Sequence, residues 1–245
     1  MNLIFQYYIG DIVPDYAKMS RFSFLEYADK YGHEYLFSTE QYLPEHWASG
    51  YFDVIQVYMD PFFDQYDYVL FCDADVLAHP RSPDVFKYKP KHIAGWTEQH
   101  HPLGRTSPGY EKGSEKYKLI ESAFKEFDAP LIESSSPFAA TRILNSGVLL
   151  FSKEARLIAR EKFDDWQKWS DMKYDPWLTL DQFYLSAMFN KYNLDVLELE
   201  NEWNITPDWF NASKLPDSYF YHCSGSKGKD TISEYFSEFF KEFNL

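Results

Sequence analysis

The segment Tyr68-Val69-Leu70-Phe71-Cys72 constrains the fold more than any other part of the chain, because it runs straight into Asp73-Ala74-Asp75. A short unbroken apolar run has no wet face alternating with a dry one. It therefore predicts a strand covered on both sides, as in sheets sandwiched between helices. The rest of the chain alternates in the same way. Strands are expected at 2–8, 34–37, 68–72, 92–96, 147–151, 194–199 and 218–221. A helix is expected over 11–31, where Tyr16, Met19, Phe22, Leu25 and Ala28 keep a helical spacing up to Gly32. Further helices are expected at 52–63, 154–169, 178–192 and 232–243. This order predicts an α/β fold with a mostly parallel central sheet flanked by helices, in a single domain over 1–245.

Composition narrows the classes. With 45% hydrophobic and 20% aromatic residues among 245, the chain has ample apolar surface to bury, which excludes disorder. No run approaches the ~18 apolar residues of a membrane-spanning helix, and the mean hydropathy is -0.49. Met1 to Gln6 lacks a basic stretch and a small-residue cleavage site, so a first strand is expected there rather than a signal peptide, and a soluble cytoplasmic protein. Two cysteines, Cys72 and Cys223, make no disulfide framework. A net charge of -14 argues against a nucleic-acid partner, whose backbone needs a basic stripe. The compact basic cluster Lys227-Gly228-Lys229 suits instead a small phosphorylated ligand held with a divalent cation.

The chemistry centres on Asp73 and Asp75. Two carboxylates one residue apart at a strand end can point into the crevice beyond the sheet, where open α/β folds bind ligands. Their oxygens are hard ligands for Mg²⁺ or Mn²⁺. The competing reading is a solvated turn that caps a following helix. His222, after the aromatic run Tyr219-Phe220-Tyr221, is either a third ligand from another strand end or a satisfied edge residue. Asn145 can donate and accept at once, as a sugar-hydroxyl reader must, or simply turn the chain before a strand. Gly147 admits close backbone approach. Lys227 and Lys229 offset leaving-group charge or sit in solvent, and Asp181 acts chemically or caps a helix. Trp96, Trp177, Trp203 and Trp209 are read as core before sugar platforms.

Taken in order, these segments resemble a known group. Two strand–helix units followed by Val69-Leu70-Phe71-Cys72-Asp73-Ala74-Asp75 look like a glycosyltransferase of the GT-A (nucleotide-diphospho-sugar transferase) fold with its DxD motif. Asn145-Ser146-Gly147-Val148, Asp181-Gln182, Glu202-Trp203-Asn204 and His222-Cys223-Ser224-Gly225 resemble, in order, motifs of glycosyltransferase family 8, the glycogenin-like group that includes lipopolysaccharide galactosyltransferases. The family continues with Lys-Pro-Trp, whereas position 228 is Gly with Lys227 and Lys229 on either side. Tyr27 to Tyr35 is more similar to galactosyl- and xylosyltransferases of the same fold.

The resemblance implies a metal-dependent transferase moving a sugar from a nucleotide-diphosphate donor, a UDP-sugar foremost, to a hydroxyl of a glycan, lipid or protein. Asp73, Asp75 and His222 would hold Mn²⁺ or Mg²⁺. Asp73, Asn145, Gly225, Lys227 and Lys229 would bind the donor. Asp181 and Gln182 would lie at the sugar, with Gln182 near the anomeric carbon and retention of configuration favoured over inversion. Residues 99–114, rich in Gly and Pro, are expected to form a lid offering His100, His101 and Arg105 to the acceptor. Two other classes compete. A haloacid-dehalogenase-type phosphatase would use Asp73 as nucleophile, but its motif should open the chain, and Asp164-Asp165 is expected inside a helix. A non-catalytic sugar-binding module would need no Asp pair.

Overall fold

The computed structural model describes residues 1–97, 112–133, 141–206 and 218–241, without the side chains of 226–228. Strand β1 (Asn2–Tyr7) leads into helix α1 (Asp15–Tyr31), then strand β2 (Glu34–Ser38). Helix α1 starts after Pro14, held extended at φ -71°, and stops at Gly32, whose φ of +70° turns the chain out of the helix. The helix expected over 52–63 is broken instead. It consists of α2 (Ser49–Phe52), a 3-10 turn at Asp53–Ile55, α3 (Gln56–Met59) and a 3-10 turn at Pro61–Gln65. Pro61 has no N–H to continue α3, and Asp60 accepts from the Phe62 N–H at 2.8 Å to start the next turn.

Strand β3 (Tyr68–Cys72) forms as expected, and β4 (Val76–Ala78) follows it directly, so the Asp pair caps no helix. Next come β5 (Ile93–Thr97) and α4 (Glu115–Glu126), a helix the sequence reading missed, capped by Ser114. Strand β6 (Leu144–Ser152) begins ahead of the expected Gly147 and takes in Asn145. The helix expected over 154–169 splits into α5 (Lys153–Lys162) and α6 (Trp166–Ser170). Asp164-Asp165 therefore lies in the break and not within a helix. Asp165 caps α6 by accepting from the Gln167 N–H at 2.9 Å, while Asp164 takes the Lys191 ammonium at 2.6 Å. Helix α7 (Asp181–Lys191), strand β7 (Val196–Glu198), strand β8 (Phe220–His222) and helix α8 (Gly225–Phe239) complete the order. Helix α8 begins well before the expected Ile232, so Gly225, Lys227 and Lys229 belong to a helix instead of a turn.

The main sheet has the order β2-β1-β3-β6-β5-β7. Neighbours run parallel at β1/β2, β1/β3 and β5/β7, and β6 is antiparallel to both β3 and β5. Helices cover both faces, which explains the unbroken apolar strands. Leu3, Phe5, Val69, Phe71, Leu149 and Phe151 join one buried cluster, while Ile4, Leu70, Cys72, Val148 and Leu150 join the cluster on the other face. Each such side chain taken from water contributes ~1.5–3 kcal/mol. Strands β4 and β8 pair as a small antiparallel sheet. No helix among the described residues is long and apolar enough to cross a membrane.

Candidate metal and ligand cleft

Three strand registers assemble the site from distant parts of the chain. Pairing of β3 with β6 sets Cys72 against Val148, and the Asp73 N–H donates to the Gly147 carbonyl at 2.9 Å. Pairing of β4 with β8 sets Val76 against His222, and the Cys223 N–H donates to the Asp75 carbonyl at 2.9 Å. Ile205 bridges to Tyr221, and the His222 N–H donates to the Ile205 carbonyl at 2.7 Å, which places Asn204 beside the imidazole. A buried Gln6, from the end of β1, holds the Asp73 carbonyl through its amide N–H at 3.0 Å and is itself oriented by the Tyr35 hydroxyl at 2.7 Å.

Asp73, Asp75 and His222 thereby converge, each offering one ligand atom, all within 4.8 Å of one another. His222 Nε2 lies 3.5 Å from Asp73 Oδ2 and 3.3 Å from Asp75 Oδ1. Lys229 Nζ stands 3.6 Å from the other Asp75 oxygen, 4.9 Å from the centre of the Tyr16 ring. Burial alone would keep the imidazole uncharged, but the Asp73 and Asp75 carboxylates outweigh it and push His222 up to about 10. Burial likewise opposes the charge on Asp75, yet His222 and Lys229 hold its carboxyl below the usual range.

Gly147 is required by packing. A Cβ there would overlap Cε1 of His222 and come within 2.7 Å of its Nδ1 and 2.9 Å of Asp73 Oδ2.

The site opens into a cleft of about 860 Å³. Tyr8, Tyr16, Ser224 and Gly225 line it near the Asp pair, and Tyr51, Lys116, Trp177 and Phe183 line it elsewhere along with Asp181 and Gln182. Asp181 opens α7 as its first helical residue, with Leu180 in the capping position. Burial, and next the Asp73 charge, push its carboxyl up to about 7, partly offset by a hydrogen bond from Ser146. Asn145 is 7% exposed and donates from its amide to Gln182 Oε1 at 3.2 Å.

The structure thus brings to one cleft Asp73, Asp75, Asn145, Asp181, Gln182, His222, Gly225 and Lys229. Of the two candidate lysines, Lys229 is at the Asp pair, while the side chain of Lys227 lies outside the described residues. So do His100, His101, Arg105 and Trp209. Trp96 and Trp203 are buried in the core, and Trp177 is the tryptophan on the cleft wall among the described residues. Sequence reasoning missed Gln6, Ser146, Tyr16 and Tyr51, and gave Asn204 no role. Gln6 left a trace as a polar residue after the apolar run Leu3-Ile4-Phe5, and Ser146 and Asn204 stood within the motif segments quoted above.

No family model matches the chain, and no curated protein matches it. The resemblance to glycosyltransferase family 8 in particular therefore has no family model behind it. Among solved structures, the crystal structure of a glycosyltransferase involved in the glycosylation of the major capsid of PBCV-1 superposes with a TM-score of 0.63. Its sequence identity is 13%, covering 96% of this chain and 98% of that one. The apo crystal structure of mouse xyloside xylosyltransferase 1 aligns over 92% of this chain and 98% of that chain, at 10% identity and a TM-score of 0.46, too low to bear on the fold. The first likeness shows the fold, a GT-A type α/β architecture with a six-stranded, mainly parallel sheet between helices.

Proposed function

We propose that this chain is a metal-dependent glycosyltransferase that takes a sugar from a nucleoside-diphosphate donor, a UDP-sugar foremost, and passes it to a hydroxyl acceptor. The observation that carries the reading is the convergence of Asp73, Asp75 and His222 at a cleft in a fold shared with a glycosyltransferase. The residues fit a divalent cation. Asp75 Oδ1 is a buried carboxylate oxygen with no well-formed hydrogen bond, faced by His222 Nε2 at 3.3 Å, so a divalent cation taking the place of the Nε2 proton would complete it. Two carboxylates and one imidazole are a donor set suited to Mn²⁺ or Mg²⁺.

Asp73, Asp75 and His222 would hold that ion, which when bound neutralises charge developing on a diphosphate leaving group. Lys229 and the first backbone N–H groups of α8, whose capping residue Ser224 makes no side-chain hydrogen bond, would receive the phosphates. Asp181 and Gln182 would meet the sugar, with Asp181 binding hydroxyls.

Retention is the expected outcome. It rests on the family resemblance of the Asp181-Gln182 pair; an inverting transfer would instead need a carboxylate base on the acceptor hydroxyl, and Asp181, pushed up to about 7, would be that base. In the retaining course the acceptor oxygen bonds to the anomeric carbon on the face that the phosphate leaves. Its proton passes to the departing phosphate oxygen. NMR of the product's anomeric configuration tests this, and an inverted product overturns it.

The function itself is tested by thermal unfolding with nucleotide sugars in the presence and absence of Mn²⁺. A donor at 100 times its Kd should add ~2.7 kcal/mol, a rise in melting temperature of roughly 5–10 °C for a chain of this size, only with the metal. Phosphate release from simple phosphomonoesters, with no metal-dependent nucleotide binding, would favour the phosphatase.

A further inference from the structure

The buried side chains between β6 and β8 form one hydrogen-bonded chain whose direction is set at a single backbone group. The Gly147 N–H can only donate, so the Asn145 atom facing it at 3.0 Å is the carbonyl oxygen. That same oxygen lies 2.8 Å from the Asn204 side chain, which must therefore turn its NH₂ group toward it. The atom Asn204 then presents to His222 Nδ1, at 3.1 Å, is its carbonyl oxygen. A carbonyl oxygen can only accept, so Nδ1 carries a proton.

We propose that Asn204 is a positioning residue. By accepting from Nδ1–H it keeps the proton on that nitrogen and turns Nε2 toward Asp73 and Asp75, so that Nε2 is the nitrogen that gives up its proton when a cation binds. Asn204 is fully buried, and Asn145 and His222 are 7% and 4% exposed, so water cannot readily replace any link. Gly147 adds a steric wall, since its missing side chain is the space the imidazole occupies. The chain also continues outward, from the Asn145 amide to Gln182 Oε1, and so joins the metal end of the cleft to the sugar end. Metal-binding imidazoles generally have their second nitrogen held in this way, and losing the holding group typically costs about 10–100-fold in metal affinity or activity.

The inference rests on the metal site proposed above, and the experiment separates the two. Mn²⁺ binding is measured by calorimetry for the wild-type chain, for Asn204→Ala and for Asn204→Asp. Asn204→Ala should weaken binding about 10–100-fold. Asn204→Asp keeps an acceptor on Nδ1 but loses the donor to Asn145, so it should fall between the two. Because a buried substitution can unfold the chain, the ¹⁵N spectrum of histidine-labelled wild-type protein loaded with diamagnetic Mg²⁺ gives an independent readout. It should show His222 protonated at Nδ1 and not at Nε2. Mn²⁺ binding by the wild type with unchanged affinity in folded Asn204→Ala, or a proton on Nε2 in the Mg²⁺-loaded protein, overturns the role of Asn204 alone. A wild-type chain that binds neither ion overturns the metal site and this inference with it.

Discussion

Replacing Gly147 by alanine tests how tightly the cleft is built, because it adds one methyl group where the structure has no room for it. That methyl would overlap Cε1 of His222 and come within 2.7 Å of Nδ1 and 2.9 Å of Asp73 Oδ2. The backbone is not the obstacle, since Gly147 lies within strand β6 with no positive φ. Nor is the neighbour a flexible side-chain tip that can swing into solvent. The imidazole is buried and tied to Asn204, and Gly147 itself is tied to both Asn145 and Asp73. Overpacking of this kind costs ~1–3 kcal/mol, a fall in melting temperature of roughly 2–12 °C for a chain of this length. Relief requires His222 or Asp73 to move, and either movement pulls a donor atom out of the 4.8 Å cluster. Gly147→Ala should therefore lose most of the extra stabilisation given by Mn²⁺ with a nucleoside diphosphate, beyond its own loss of stability. Differential scanning calorimetry with and without these ligands reads both quantities. A variant that melts with the wild type and is stabilised equally by the ligands would refute the steric argument.

Metal uptake should release a proton. His222, pushed up to about 10, carries a proton on Nε2 at neutral pH in the metal-free chain, so Mn²⁺ affinity should rise with pH toward 10. Calorimetry in buffers of differing ionisation enthalpy counts the proton, and a count of zero at pH 7 removes the claim. The same group gives the metal-free chain stability that is present below the unfolded value of about 6.5 and lost as pH rises through about 10, a decline visible in melting curves. Asp181→Asn should abolish transfer while sparing metal-dependent nucleotide binding. Because the folded state holds the Asp181 proton up to about 7, ionisation destabilises the fold as pH climbs from about 4 to 7. The Asn variant should therefore gain melting temperature relative to wild type at pH 8 but not at pH 4, and a gap that does not widen with pH refutes this. Arg156, fully buried, donates to the carbonyls of Phe63, Tyr66 and Phe151. Arg156→Ala strands all three acceptors and should cost roughly 3 kcal/mol or more by urea unfolding; a loss below 1 kcal/mol would show that water reaches them.

Much of the architecture was legible because local patterns report on it directly. The run Tyr68–Cys72 marked a doubly covered strand, helical spacing marked α1, and the paired aspartates at a strand end marked a ligand cleft in an α/β fold. Boundaries failed where a side chain chose between two local partners. Asp165 capped a new helix instead of extending α5, and Pro61 interrupted what periodicity read as one helix.

The sequence by itself determined which groups are present to bind a metal and a phosphorylated ligand. It did not determine that His222 reaches Asp73 and Asp75, because that meeting depends on strand registers between segments far apart in the chain, and pairing across such distances leaves no period in the sequence. Only the tertiary structure decided that Lys229 faces Asp75, since the turn of α8 sets its direction. The orientation of Asn145 was decided the same way. Its pattern suits a sugar reader as well as a turn, and the fold spends its oxygen on Gly147 and Asn204, because a buried backbone N–H must find an acceptor and this was the one within reach.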